Sequence, residues 1–307
     1  MITAWHDAGF EVPLGKHIMP IRKFALVSAE IRKQKLAQVL SPEPVTEEML
    51  LAVHTKEYIH AIRTGDPRPL AESQKFPWSP QLYPSVLLTN GAVVAAARTA
   101  LKEGISAAVA SGFHHAHQTQ GEGFCTFNGL VIASEVLRAE GLAKRIAILD
   151  MDLHYGNGTA SLATTRPWLR QLSVYGNDYF ANQAYRDVTV LRHSDGPNHC
   201  SIPLPAGTDW LKLEHMMKNQ IPGFLDEEKP DILLYQAGAD YFREDPYSPL
   251  NLDHDALFNR DKLVFQTARE RDIPIAWTLA GGYTEDTSQV VKVHVNTFHA
   301  AREVFEL

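Results

Sequence analysis

Short apolar runs alternate along the chain with longer segments whose apolar residues recur at helical spacing. The runs that are apolar nearly throughout fit strands buried on both faces: Ala107–Ser111, Arg145–Asp150, Arg170–Tyr175, Asp231–Gln236 and Pro274–Leu279. Around them, helical periodicity predicts Val45–Arg63 (Thr46 a possible N-cap), Thr89–Lys102, Asn128–Glu140, Trp210–Glu227, His254–Arg271 and Thr287–Phe305. Buried strands separated by helices predict the α/β class, with a single open parallel sheet flanked by helices. No repeat or long linker interrupts the pattern. The proline-rich, polar stretch Asp66–Pro84 reads as a surface loop, and one domain over residues 1–307 is expected.

Composition adds bounds. The 307 residues are 45% hydrophobic and 21% charged, ordinary for a globular protein with a sizeable core. A net charge of -7 gives no electrostatic reason to expect nucleic acid or an anionic membrane as partner. The two cysteines, Cys125 and Cys200, imply no disulfide framework. The first residues lack the basic-then-apolar pattern of a signal peptide, and no run approaches a membrane span, so a cytoplasmic protein is expected.

Candidate chemistry falls at strand ends. The run Ala107–Ala110 leads into Ser111-Gly-Phe-His114-His115, and Arg145–Leu149 into Asp150-Met-Asp152-Leu-His154. Likewise Asp231–Gln236 leads into Ala237-Gly-Ala-Asp240, and Pro274–Leu279 into Ala280-Gly-Gly282-Tyr283. In open parallel sheets the binding crevice lies beyond the carboxyl ends of the strands, so these residues should converge. If the strand conformation continues, alternation puts Asp150, Asp152 and His154 on one face, two carboxylates and an imidazole suited to a metal ion.

The motifs resemble those of the zinc-dependent histone deacetylase superfamily, including its bacterial members and the acetylpolyamine amidohydrolases. The matching blocks are Gly112-Phe-His-His-Ala116, Gly121-Glu-Gly-Phe-Cys-Thr-Phe-Asn128, Ile148-Leu-Asp-Met-Asp-Leu-His-Tyr-Gly-Asn-Gly158, Gln236-Ala-Gly-Ala-Asp240 and Leu279-Ala-Gly-Gly-Tyr283. Leu14–Phe24 and Phe76–Pro80 resemble segments of the class IV-like branch.

This resemblance implies the arginase/deacetylase fold, with one zinc ion held by Asp152, His154 and Asp240. It further implies His114 and His115 as acid and base, Asp150 and Asn157 as their hydrogen-bond partners, and Tyr283 as donor to the oxyanion. A structural potassium ion would use Asp150, Asp152, His154, Ser173 and Val174. Substrate would be lined by Gly123, Phe124, Tyr179, Phe180 and Gly282, and Arg22 would line an internal acetate-release cavity. Asn157 stands where many family members carry aspartate. A neutral amide raises histidine basicity less, which predicts a mostly neutral His115 as the general base.

The expected substrate is an acyl-lysine protein, with an acetylated polyamine as the alternative. Ser73–Tyr83 lacks the acid with which peptide-reading members often grip the backbone. Tyr247 occupies the place of a glutamate found in one group of polyamine deacetylases. Phe242 stands where the two-manganese arginase branch places a bridging aspartate, so a mononuclear site is expected. A catalytically inactive binding protein of the same fold is the third reading.

Overall fold

The computed structural model describes residues 1–15, 17–177, 188 and 193–307. Its strands are β1 (Ile2–Trp5), β2 (Ala37–Leu40), β3 (Ile105–Ser111), β4 (Ile146–Met151), β5 (Leu169–Tyr175), β6 (His199–Pro203), β7 (Ile232–Ala237) and β8 (Ile275–Leu279). They form one sheet in the order β2-β1-β3-β8-β7-β4-β5-β6, and every neighbouring pair is parallel. The helices are α1 (Lys23–Lys33), α2 (Glu47–Leu51), α3 (Lys56–Thr64), α4 (Arg68–Ala71), α5 (Leu82–Glu103), α6 (Gly129–Ala139), α7 (Asn157–Ala163), α8 (Trp210–Glu228), α9 (His254–Arg269) and α10 (Thr287–Phe305). Among the described residues no helix is long and apolar enough to cross a membrane.

The central strands are apolar throughout because helices cover both faces. Leu149, Tyr235 and Trp277 pack with Val27 of α1, Leu213 of α8, Phe265 of α9 and Phe298 of α10. Their neighbours Ile148, Leu234 and Ala276 point the other way, to Leu50 of α2, Ile62 of α3, Val93 of α5 and Leu130 of α6. Each fully buried leucine or isoleucine contributes about 1.5–3 kcal/mol, so a polar residue on either face of these strands would need a partner.

All five expected strands and the helices after residue 200 occur within a few residues of their expected bounds. The expected Val45–Arg63 helix is two, because Thr55 starts α3 by accepting a hydrogen bond from Tyr58 N. Asp66–Pro84 is not wholly loop. It contains α4 and the first turn of α5, where Pro84 is tolerated because that turn's N–H groups have no helical partner. Strands β1, β2 and β6 and helices α1 and α7 carry too short or too polar a pattern to stand out.

One buried contact behind the sheet's carboxyl end is pH-sensitive. His54 Nδ1 lies 2.9 Å from His117 O, and its Nε2 accepts from Asn128 N at 3.0 Å. Only the neutral ring serves both. Burial, partly offset by its backbone hydrogen bonds, holds the His54 pKa at about 4. The unfolded chain, titrating near 6.5, therefore binds the extra proton first. The stabilisation is complete above pH 6.5 and is lost towards pH 4, by up to about 3 kcal/mol. Urea unfolding at pH 7 and 4.5 should show His54→Leu less stable at pH 7 but with a flatter pH dependence than the parent.

Candidate active site

The four strands whose ends carry the candidate residues, β3, β8, β7 and β4, are neighbours in the sheet. Their last registered pairs, Ser111 with Leu279, Leu279 with Ala237 and Ala237 with Met151, bring the ends level. His114, His115, Asp150, Asp152, His154 and Asp240 are all buried there, with Tyr283 at their rim.

The expected alternation through residue 154 does not hold, because β4 ends at Met151. Asp150 is still in the strand, and its Oδ2 pairs with His114 Nδ1 at 2.7 Å. The chain then turns, and Asp152 and His154 join Asp240 in a separate cluster whose ligand-type atoms lie within 4.8 Å of one another. Backbone N–H groups aim the carboxylates. Asp152 Oδ1 accepts from His154 N (2.9 Å), Asp152 Oδ2 from Gly281 N (2.7 Å) and Asp240 Oδ1 from Leu153 N (3.0 Å). Burial disfavours a charged His154, but Asp152 and Asp240 outweigh it and raise its pKa to about 10.

The two histidines differ in their backing. Burial opposes a charged His114, yet Asp150 and Asp152 raise its pKa. His115 is held well below the ordinary value by burial and by the charges of His114 and His154, and its Nδ1 lies 2.6 Å from Asn157 Oδ1. The two shifts run in opposite directions, so the adjacent imidazoles differ in basicity. Two residues beside them hold left-handed backbone, Phe113 (φ 61°) and Phe124 (φ 64°), which is uncommon for bulky side chains. Their N–H groups are fixed by Ser111 Oγ and Gln74 O.

Burial, with the charges of Asp152 and Asp240, pushes the Tyr283 phenol well above its ordinary pKa, so it stays a donor. Phe124 stacks on Phe76 and packs against His17, while Tyr247 meets Tyr283 with ring centroids 5.3 Å apart. Gly123 lies against the His115 ring, and Gly282 adopts φ 139°. Tyr179 and Phe180 lie outside the described residues.

Two buried ionisable residues beside the site escaped the sequence reading. Asp245 is buried, accepts from Tyr283 N at 2.6 Å and from Tyr247 N at 3.0 Å, and is pushed up to about 7 by burial and by Asp240. Its place after the Asp240 loop, beside Pro246, was the available signal. Arg22 is exposed and lines an open surface cavity, which corrects the expectation of an internal position. The buried cation is the next residue, Lys23, whose Nζ donates to Ala280 O.

The histone deacetylase domain family matches residues 17–298. The chain belongs to the histone deacetylase family. An uncharacterised protein of Picosynechococcus is 29% identical over 294 residues, 94% of each chain. A histone deacetylase-like amidohydrolase of Pseudomonas aeruginosa is 25% identical over 306 residues, 92% of this chain and 80% of that one. The solved structure of an acetylpolyamine aminohydrolase from Burkholderia pseudomallei superposes with a TM-score of 0.82 at 19% identity, covering 99% of both chains. Family membership makes the chain a deacetylase-type hydrolase.

Histone deacetylase family members are generally zinc-dependent, and the Asp152–His154–Asp240 cluster fits a divalent cation. Asp240 Oδ2 is buried, receives no backbone N–H and lies 3.2 Å from His154 Nδ1, another ligand-type atom. Gly281 leaves the space that two carboxylates need: a Cβ there would come within 1.8 Å of Asp240 Oδ2 and 2.8 Å of Asp152 Oδ2. The mutation Gly281→Ala should therefore displace the carboxylates and lower the bound metal from stoichiometric to near zero. Elemental analysis after dialysis, with circular dichroism to confirm folding, checks this; full metal content in a folded variant would contradict it.

Proposed function

We propose that the chain is a zinc-dependent amide hydrolase that removes acetyl or other acyl groups from the ε-amine of lysine in proteins. The observation that carries this reading is the arrangement at one sheet end of a metal-type ligand cluster, two differently backed imidazoles and a protonated phenol. Asp152, His154 and Asp240 would hold one zinc ion. Zinc bound there supplies a Lewis acid that polarises an acyl carbonyl and acidifies water.

The chain's own groups do the rest. His115, neutral and with its Nδ1 hydrogen directed at Asn157 Oδ1, takes a proton from the attacking water at Nε2. His114, its basicity raised by Asp150 against the cost of burial, gives a proton from Nε2 to the leaving amine. Tyr283 donates its hydroxyl hydrogen to the oxyanion, its backbone held by Asp245. Gly123, Phe124 and Gly282 would line the channel for the aliphatic lysine stem. Potassium at Asp150, Asp152, His154, Ser173 and Val174 is part of the same proposal, supported by the register pairing of Asp150 with Ser173 on β5. We read residues 1–307 as one catalytic domain.

A small acetylated amine is the second reading. The aromatic face of Tyr247, beside Tyr283, suits a cationic chain, and the solved Burkholderia relative bears the name of an acetylpolyamine aminohydrolase.

The zinc-loaded protein should be assayed side by side on an acetyl-lysine peptide, a long-chain acyl-lysine peptide and acetylated polyamines. Peptide turnover that falls by roughly 100- to 1000-fold in Tyr283→Phe is expected. Turnover of polyamines alone would replace the proposal with the second reading. No hydrolysis with stoichiometric metal would overturn both.

A further inference from the structure

His115 is backed by an amide, and an amide has two different ends. Asn157 Oδ1 can only accept and Nδ2 can only donate, so the orientation of this side chain decides which His115 tautomer it supports. Nothing in Asn157 itself selects the orientation. The selecting group is Glu122, whose Oε2 lies 2.9 Å from Asn157 Nδ2 and 2.9 Å from His117 Nε2.

Glu122 suits this task chemically. An ionised carboxylate accepts and never donates, so it admits only the NH₂ end of Asn157. Burial raises the Glu122 pKa, but the hydrogen bonds from His117 and Asn157 outweigh it and leave the carboxyl below its ordinary value. Its backbone is fixed by a tight turn, with Cys125 N donating to Glu122 O at 2.8 Å and Glu122 N to Cys125 O at 3.2 Å. With Nδ2 committed to Glu122, Oδ1 must face His115 Nδ1 at 2.6 Å. The ring hydrogen then resides on Nδ1, and Nε2 carries the lone pair.

We propose that Glu122 is a positioning residue that sets the tautomer of His115 through the Asn157 amide. The proposal rests on the reading of His115 as the general base. It also gives the two imidazoles distinct support. His114 meets a carboxylate directly, whereas the charge behind His115 stands one amide farther away, orienting the ring without a direct ion pair.

Two measurements test this on the full-length, metal-loaded protein. Nitrogen-15 NMR of the histidine rings should show His115 as the Nδ1–H tautomer in the parent and as a mixture in Glu122→Gln, because a glutamine presents both a donor and an acceptor to Asn157. In activity, Glu122→Gln should lower kcat by roughly 10- to 100-fold with little change in KM. In an Asn157→Asp background the same change should be neutral or beneficial, because the carboxylate introduced there accepts from His115 unaided and repels Glu122. A pure Nδ1–H tautomer in Glu122→Gln, or an equal kcat loss in both backgrounds, would overturn the proposal and reduce Glu122 to a loop brace. The base reading fails separately, if His115→Gln keeps parental kcat, and the tautomer measurement stands apart from that result.

Discussion

Three carboxylates, Asp150, Asp152 and Asp240, are almost wholly withdrawn from water within one small volume, with Asp245 close behind. In a poorly polarisable interior such a group is expensive unless its oxygens meet donors or positive charge. Much of the surrounding architecture answers that requirement. Asp150 receives Asp152 N and His114, Asp152 receives His154 N and Gly281 N, and Asp240 receives Leu153 N. Each donor comes from a turn just past a strand end, so the turns are shaped by the acids as much as the acids are placed by the turns. Asp240 Oδ2 alone among these oxygens receives no backbone N–H and no donor from outside the ligand cluster; it lies 3.2 Å from His154 Nδ1, within the cluster suited to a cation.

Two cations, on α1 and α9, reinforce this arrangement from one side of the sheet. Lys23 donates to Ala280 O, while the N–H of the same peptide unit, at Gly281, donates to Asp152. One peptide thus links an ammonium to a carboxylate. Burial lowers the Lys23 pKa to about 8, and Asp240, Asp152 and Asp245 oppose that fall. Arg260 works similarly on the next loop, donating to Gly238 O at 2.7 Å and to Asp261 Oδ1 at 2.8 Å. Arg260 and Asp261 are both fully buried, so each charge has the other as partner.

The central sheet and its helices were legible because burial on both faces forces continuous apolar runs, as in Ile146–Leu149 and Ile232–Leu234. The edge strands were not: β2 alternates only Ala37 and Val39 inward over four residues, and β6 carries His199, Cys200 and Ser201. At the site, spacing and strand-end position pointed to His114, His115, Asp152, His154, Asp240 and Tyr283. Asp245 and Lys23 stayed hidden because a lone acid in a loop and a lysine opening a helix have the usual appearance of solvated residues. Their importance follows from burial, which no local pattern encodes. Glu122 was visible within a glycine-rich motif, but its link to Asn157 exists only after β3 and β4 place their following loops together.

The position of Gly281 also bears on the order of synthesis. Its N–H completes the donor set of Asp152, yet it lies near the end of the chain, after β8 has been made. β8 sits between β3 and β7, so it must be inserted between the strands that carry the histidines and Asp240. A chain that stops before β8 lacks both this central strand and one of the donors that steady the acids. The donor set of Asp152 is therefore complete only once β8 and the loop that follows it have joined the sheet.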